Sequence, residues 1–223
     1  MTTLRARLTA LALVLFACQG LAQAQAPTGA DVARFFRSVQ LDDVSTVRKM
    51  LATTIDANQV NPVGGEPGLV LAVREGAMQV VDILLAQPGI NLEAQAVNGN
   101  TALMMAAYQH NGKLVATLLA RGAAVTQPGW TALHYAASVG DDAIVRQLLE
   151  RGAGIDATSP HASGKFTPLM MAAREGHDRT VQLLLRAGAN PALLNSEGLS
   201  AAQIAERADK PAIAAMLRAQ AAP

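Results

Sequence analysis

A helix-forming segment that recurs at nearly constant spacing restricts this chain to a stacked-repeat fold. The clearest copy, residues 167–190, reads TPLMMAAREGHDRTVQLLLRAGAN, which predicts a turn, a short helix, a tight reversal, a second helix and a glycine stop. The anchor of the first helix recurs at steps of 34, 30, 36 and 33 residues, in Leu69, Leu103, Leu133, Leu169 and Ala202. A unit of this length cannot bury its apolar side alone, so its copies must stack into a solenoid.

Local signals inside the units agree with this periodicity. Thr101, Thr131 and Thr167 stand where a first helix should begin, and a hydroxyl at that position can accept a hydrogen bond from an unpaired backbone N–H. Glycines follow the second helices as left-handed stops, at Gly122, Gly152 and Gly188. Pairs of alanines at 106-107, 136-137 and 172-173 are small enough to let neighbouring helices approach closely.

Three segments carry a resemblance to a known family. TALMMAAYQHN, TALHYAASVGD and TPLMMAAREGH resemble the ankyrin repeat, whose pattern of about 33 residues contains T-P-L-H-x-A. The resemblance covers roughly residues 31–218 and implies an all-α ankyrin-repeat solenoid of about six helix-turn-helix units, with hairpin fingers and capping end repeats. The expected units within a domain of residues 27–223 are 31–63, 64–97, 98–127, 128–162, 163–194 and 195–220.

The first 26 residues have the pattern of a secretory signal peptide. Arg5 and Arg7 precede an apolar run over residues 8–17, which is too short to span a bilayer. Small-residue cleavage patterns follow within residues 22–26. We therefore expect an exported, periplasmic bacterial protein. An alternative is a lipobox ending at Cys18, which would leave the mature chain anchored to lipid.

Charge and cysteine content limit the classes of partner. The chain has 18 basic and 17 acidic side chains, and cleavage would remove Arg5 and Arg7, leaving 16 against 17. A nearly neutral protein without a basic stripe is not expected to bind nucleic acid or anionic lipid. The only cysteine, Cys18, precedes either cleavage point, so no disulfide or thiolate metal site is expected in a mature chain that folds as a monomer.

No constellation of residues indicates catalysis, a metal or another cofactor. The ankyrin resemblance gives His134 and His177 structural roles, the former as a hydrogen bond between adjacent repeats. His110 and His161 lack any partner at metal-ligand spacing. Because no nucleophile elbow, phosphate loop or dinucleotide fingerprint is present either, an enzyme is not expected.

Two departures from the repeat pattern have structural consequences. Met104 and Met170 replace the histidine of the family pattern, so part of the hydrogen bonding between repeats should be missing there. The connection over residues 122–130 is about three residues short, and the one over 152–166 is about three long. We expect the long finger to protrude at residues 159–164, either as a partner contact or as neutral loop variation.

The ankyrin resemblance also indicates where a partner would bind. In ankyrin proteins, partners usually touch the finger tips and the exposed side of the first helices. The matching positions here, together with an aromatic residue near them, are Asn100, Tyr108, Gln109, Trp130, Tyr135, Phe166, Arg174 and Glu175. Aromatic residues beside arginine are typical of interface hot spots. The alternative is that Trp130 and Phe166 pack against neighbouring fingers.

The expected function is a non-catalytic protein–protein interaction module of the periplasm that binds its partner through the concave face and finger tips. A specific alternative is an immunity or inhibitor protein that neutralises a toxic enzyme. A second alternative is a lipid-anchored envelope scaffold, which depends on Cys18. A small enzyme or metal binder ranks last, because the sequence contains no reactive constellation of residues.

Overall fold

The computed structural model describes residues 26–221, which form six helix pairs. Within each pair, two or three residues connect a first helix to a second. The twelve α-helices are α1 Gly29–Gln40, α2 Val44–Thr53, α3 Gly68–Glu75, α4 Met78–Leu85, α5 Ala102–Tyr108, α6 Gly112–Ala120, α7 Ala132–Val139, α8 Asp142–Glu150, α9 Pro168–Glu175, α10 Asp178–Arg186, α11 Ala201–Arg207 and α12 Pro211–Ala221. Each expected unit contains one pair, although α1 begins two residues before the first unit and α12 ends one residue after the last. The predicted all-α solenoid is confirmed.

The helix pairs stack into two layers. Each first helix packs on the next, in the order α1, α3, α5, α7, α9 and α11, and the second helices lie beside them. The alanine pairs at 106-107, 136-137 and 172-173 are fully buried in the first-helix layer. Their small side chains allow the close approach of neighbouring helices that the sequence predicted. The core is therefore one continuous apolar band that runs the length of the stack.

Most helix ends follow the predicted signals, but Thr131 does not: its hydroxyl caps no backbone amide and lies 2.9 Å from His134 Nδ1 instead. The hydroxyl of Thr101 accepts from the Met104 amide at 3.4 Å, and that of Thr167 accepts from the Met170 amide at 3.2 Å. Gly122, Gly152 and Gly188 have φ values of 92°, 84° and 95°, as expected for left-handed helix stops. These positions set where each helix begins and where each unit ends.

Short hairpin fingers connect the units. Backbone hydrogen bonds close four of them, between Asn61 and Glu66, Ala96 and Asn100, Ser159 and Phe166, and Asn195 and Leu199. In the long finger, residues 160–163 are exposed. In the short connection, Gln127 Nε2 donates to the Trp130 carbonyl at 2.9 Å.

Histidines hold adjacent units together. His134 reaches the Phe166 carbonyl of the next unit at 2.9 Å, which confirms its predicted structural role. His177 contacts the Ser138 carbonyl of the preceding unit at 3.0 Å. Met104 has no polar hydrogen to donate, and the carbonyl of Trp130, which corresponds to that of Phe166, is bonded by Gln127 instead. The inter-repeat bond is absent at Met104 as predicted, and a local donor replaces it.

The signal-peptide and lipobox predictions lie outside the described residues, apart from Ala26. Over residues 26–221, no helix is both long enough and apolar enough to cross a membrane.

Candidate partner-binding surface

Five of the predicted binding residues occupy two positions of the repeat, eight residues apart, whereas Gln109 and Glu175 follow the second position and Tyr135 lies within α7. One is the residue just before the N-cap of a first helix, and the other lies at the end of that helix. Side chains at the two positions meet in the second and fifth units. Arg74 donates to Glu66 at 3.0 and 2.9 Å, and the Arg174 guanidinium carbon lies 5.2 Å from the Phe166 ring centre. We call the surface built by these positions the first-helix face.

Three aromatic rings form the centre of this face. Tyr108 at the end of α5 is 52% exposed, and its ring meets Tyr135 of α7 edge-on, with centres 6.0 Å apart. Trp130, just before α7, lies 6.2 Å from Tyr135 in a tilted arrangement. We call Tyr108, Trp130 and Tyr135 the aromatic patch. Each ring of the patch therefore packs against another ring.

Asn100 lies beneath the surface and bonds to one ring of the aromatic patch. It is only 7% exposed, and its Oδ1 accepts a hydrogen bond of 2.6 Å from the Tyr135 hydroxyl. Burial raises the pKa of Tyr135, so the hydroxyl remains a donor at neutral pH. The expectation that Asn100 offers an exposed finger-tip contact needs correction, because its side chain turns inward to hold Tyr135.

His134 fixes Trp130 from the other side. Its ring is fully buried and meets the Trp130 ring edge-on at 5.2 Å. Burial lowers the pKa of His134 to about 4, so the imidazole is neutral at pH 7. Because the Phe166 carbonyl can only accept, Nε2 carries the hydrogen, and Nδ1 accepts from the Thr131 amide at 3.2 Å. One neutral histidine thus connects the aromatic patch to the next unit.

A cleft of about 230 Å³ continues the face beyond the patch. It is lined by Phe166, Arg174, Ile204, Arg207 and Ala208, which come from the fifth and sixth units. Arg174 lies over the Phe166 ring and also donates to Glu175 at 2.9 Å. Placing the guanidinium over the ring makes a cation–π contact that orients both groups.

Comparison with known proteins assigns the family. A family model described as ankyrin repeats (3 copies) matches residues 35–128, 69–160 and 114–197, which together cover more than half of the chain. The chain belongs to the ankyrin-repeat family. Ankyrin repeats bind other proteins and are generally non-catalytic, which makes this chain a protein–protein interaction module.

Similar ankyrin-repeat proteins occur in animals and bacteria. Protein glp-1 of Caenorhabditis elegans is 34% identical over 54% of this chain, and the Drosophila melanogaster protein mask, an ankyrin repeat and KH domain-containing protein, is 39% identical over 46%. An ankyrin repeat-containing protein of Treponema pallidum is 28% identical over 68% of this chain. The matched regions span only 10%, 3% and 51% of those relatives.

At the other end of the first-helix face, the charged and amide groups already form hydrogen bonds and ion pairs within the protein. The Glu66 carboxylate raises the pKa of Arg74, which also pairs with Glu75 at 2.8 Å. Gln109 donates to the Arg74 carbonyl at 2.7 Å. Gln109 is exposed, yet its amide already joins the second and third units.

The predicted site residues therefore fall into three groups. Tyr108, Gln109, Arg174 and Glu175 are exposed, and Asn100 is buried. Trp130, Tyr135 and Phe166 are partly buried and packed against the core, as the alternative interpretation described for two of them. Glu66 and Arg207 belong to the same face and were not predicted. Glu66 precedes Pro67 at the N-cap of α3, and Arg207 lies 33 residues after Arg174, so the repeat spacing would have indicated both.

His110 and His161, the two histidines without a role implied by the ankyrin resemblance, lie on the surface. His110 Nδ1 lies 3.2 Å from Asp141, whose carboxylate also caps α8 through the Ile144 amide. His161 begins a short 3₁₀ turn in the long finger and is exposed. Within residues 26–221, no group of three His, Cys, Asp or Glu side chains could hold a metal ion.

Proposed function

We propose that this ankyrin-repeat chain is a non-catalytic protein-binding module exported to the bacterial periplasm, and that it binds one partner through its concave first-helix face. The observation that carries the proposal is the aromatic patch, where Tyr108 is half exposed and held by contact with Tyr135. A large ring in a fixed position loses little side-chain freedom on binding, so its buried area contributes efficiently to affinity.

The residues of the first-helix face have different proposed roles, which follow from their exposure and contacts. Tyr108 and Arg174 expose much of their surface and are the residues proposed to touch the partner directly. Trp130 and Tyr135 form the wall against which a partner side chain would pack. Asn100 acts through Tyr135 and is a positioning residue. Interfaces of this kind place aromatic anchors at the centre and satisfied polar groups at the rim.

The rim of the face is polar and nearly neutral. Arg74 is paired with Glu66 and Glu75, and Arg207 is paired with Glu197 at 2.6 and 3.1 Å. Paired charges at the edge favour one docking orientation more than they increase affinity. We therefore propose a partner with an apolar or aromatic protrusion at its centre and few unpaired charges.

Site-specific photo-cross-linking would test the face. A photoreactive phenylalanine analogue would replace Tyr108 or Arg174, and Lys113, which is exposed on α6 of the second-helix layer, would serve as the control position. One protein captured from positions 108 and 174, and absent from 113, would support the proposal. Equal capture from all three positions would contradict it.

Export is tested by the chemistry of the mature N-terminus. Residues 8–17 are apolar and small residues follow at 22–26, which supports cleavage after Ala24 or Ala26. Mass spectrometry of the protein from a periplasmic extract should find one of these two starts. A lipid on Cys18 would instead favour the anchored scaffold, and an intact Met1 in the cytoplasm would contradict export.

A further inference from the structure

A second candidate surface lies on the second helices, away from the aromatic patch. Between α8 and α10 there is a groove of about 300 Å³ into which three arginines converge, Arg146, Arg179 and Arg186. Its remaining lining consists of Asp142, Gln182 and Leu183. We call this the arginine groove. Three guanidinium groups against one carboxylate give it a local formal charge of +2.

The positive charges of the arginine groove are not paired within the described residues, whereas its one carboxylate is bonded. Asp142 accepts a hydrogen bond of 2.6 Å from the Thr180 hydroxyl, which holds the carboxylate at the groove wall. Arg186 reaches only the amide of Gln182, at 3.4 Å. Among the salt bridges formed by residues 26–221, none includes any of the three arginines. The guanidinium N–H groups of the three arginines therefore remain available to an acceptor on another molecule.

The corresponding groove earlier in the stack provides an internal comparison. Between α2 and α4 the lining includes one arginine, Arg48, and one aspartate, Asp82, so its formal charge is zero. On the first-helix face, Arg74 and Arg207 are each paired with glutamate. The concentration of unpaired arginine between α8 and α10 is therefore local, in a chain whose 18 basic and 17 acidic groups nearly balance.

A less polar groove adjoins the arginine groove across α10. It has a volume of about 290 Å³, lies between α10 and α12, and is lined by Gln182, Leu185, Arg186, Met216 and Gln220. Gln182 and Arg186 belong to both grooves. A ligand that lies across α10 would therefore contact guanidinium groups in the arginine groove and an apolar floor, formed by Leu185 and Met216, in the adjoining groove.

We propose that this double groove binds an acidic segment of a second protein, with carboxylates between the three arginines and an apolar side chain against Leu185 and Met216. Guanidinium groups match carboxylates with two parallel hydrogen bonds. A free phosphate would use the arginines but not the apolar floor, so the adjoining grooves favour a peptide. Since the aromatic patch lies in the other helix layer, the chain can join two partners.

Fluorescence anisotropy with three labelled nonapeptides tests this proposal. The probe carries three Glu-Glu-Leu repeats, and its two controls carry Gln-Gln-Leu and Glu-Glu-Ser repeats. Arg146, Arg179 and Arg186 are replaced together by Gln, and Arg48→Gln in the neutral groove is the matched protein control. Losing three exposed ion pairs with the peptide should weaken its affinity roughly tenfold.

The expected result is that Glu-Glu-Leu binds most tightly, weakens roughly tenfold in the triple variant and is unaffected by Arg48→Gln. Added salt should weaken it further, because exposed charges are screened. Equal binding to wild type and the triple variant would overturn the proposal. If Glu-Glu-Ser binds as tightly as Glu-Glu-Leu and inorganic phosphate displaces both, the groove is a simple anion site, and the peptide assignment fails.

Discussion

Single residues decide how the binding face responds to pH, and His134 is the clearest example. The imidazole is buried between Thr131 and the Phe166 carbonyl, and its pKa falls from 6.5 to about 4 on folding. The unfolded chain therefore binds more protons than the folded chain between those two values. Stability contributed by neutral His134 is complete above pH 6.5 and is lost as pH falls towards 4.

We predict that acidification from pH 7 to pH 4 removes about 2–3 kcal/mol of unfolding free energy through His134 alone. His134→Gln keeps a donor but cannot titrate in this range. Urea unfolding of both proteins at several pH values isolates the effect, because contributions from carboxylates cancel in the difference. The stability of wild type relative to the variant should rise between pH 4 and 6.5 and then level off. Parallel pH profiles would contradict this account.

Alanine substitutions at two glycines would distinguish the cost of backbone strain from the cost of a steric clash. Gly140 has a φ of 72°, and a Cβ there would lie 2.5 Å from His177 Nδ1. Gly122 has a φ of 92°, with nothing within 4 Å of the same position. We predict that Gly122→Ala costs about 1–2 kcal/mol from left-handed strain, and that Gly140→Ala costs more, about 2–4 kcal/mol, because His177 must also move. Urea unfolding gives both values, and equal costs would show that His177 yields freely.

Residue roles were predictable where they depend on local sequence. The threonine caps and glycine stops follow from neighbours within a few positions along the chain. The inward turn of Asn100 depends on Tyr135, 35 residues later, and the arginine groove depends on side chains from two helices. Neither has a local signal, because stacking creates both contacts.

At the level of elements, the short finger shows how one unit replaces a missing donor. Gln127 bonds the Trp130 carbonyl at 2.9 Å and lies 4.0 Å from the sulfur of Met104. In the next unit His134 provides the corresponding bond to Phe166. Helix positions were predictable from periodicity, whereas this replacement was not, because it requires knowing which carbonyl lacks a partner.

We predict that Gln127→Ala destabilises the protein by about 1 kcal/mol, the usual value of one such hydrogen bond. Introducing Met104→His should restore the family donor and reduce that loss. A double-mutant cycle measured by urea unfolding gives the coupling between the two positions. Simple additivity would mean that histidine at position 104 does not reach the Trp130 carbonyl.

Over the whole molecule, the two helix layers present different surfaces. The first-helix layer is continuous and carries the aromatic patch, while grooves open between the second helices. In a stacked-repeat fold each unit contacts only its neighbours, so the two surfaces can be altered separately. Variants of one surface should leave binding at the other unchanged.

The single tryptophan is a built-in reporter for the first-helix face. Trp130 is the only tryptophan in the chain and belongs to the aromatic patch. We predict that a partner docking there shifts its emission to shorter wavelength, since the ring loses its remaining contact with water. A Glu-Glu-Leu peptide at the arginine groove should leave the emission unchanged. A partner without tryptophan is required, and an emission change with the peptide alone would contradict the separation of the two surfaces.

Binding at the aromatic patch is tested most directly by the dissociation constant of the protein captured at position 108, measured for wild type, Tyr108→Ala and Lys113→Ala. Circular dichroism would verify that all three are equally folded. We expect at least roughly tenfold weaker binding for Tyr108→Ala, as for a hot-spot residue, and no change for Lys113→Ala. Equal affinity of Tyr108→Ala and wild type would contradict a binding site at the aromatic patch.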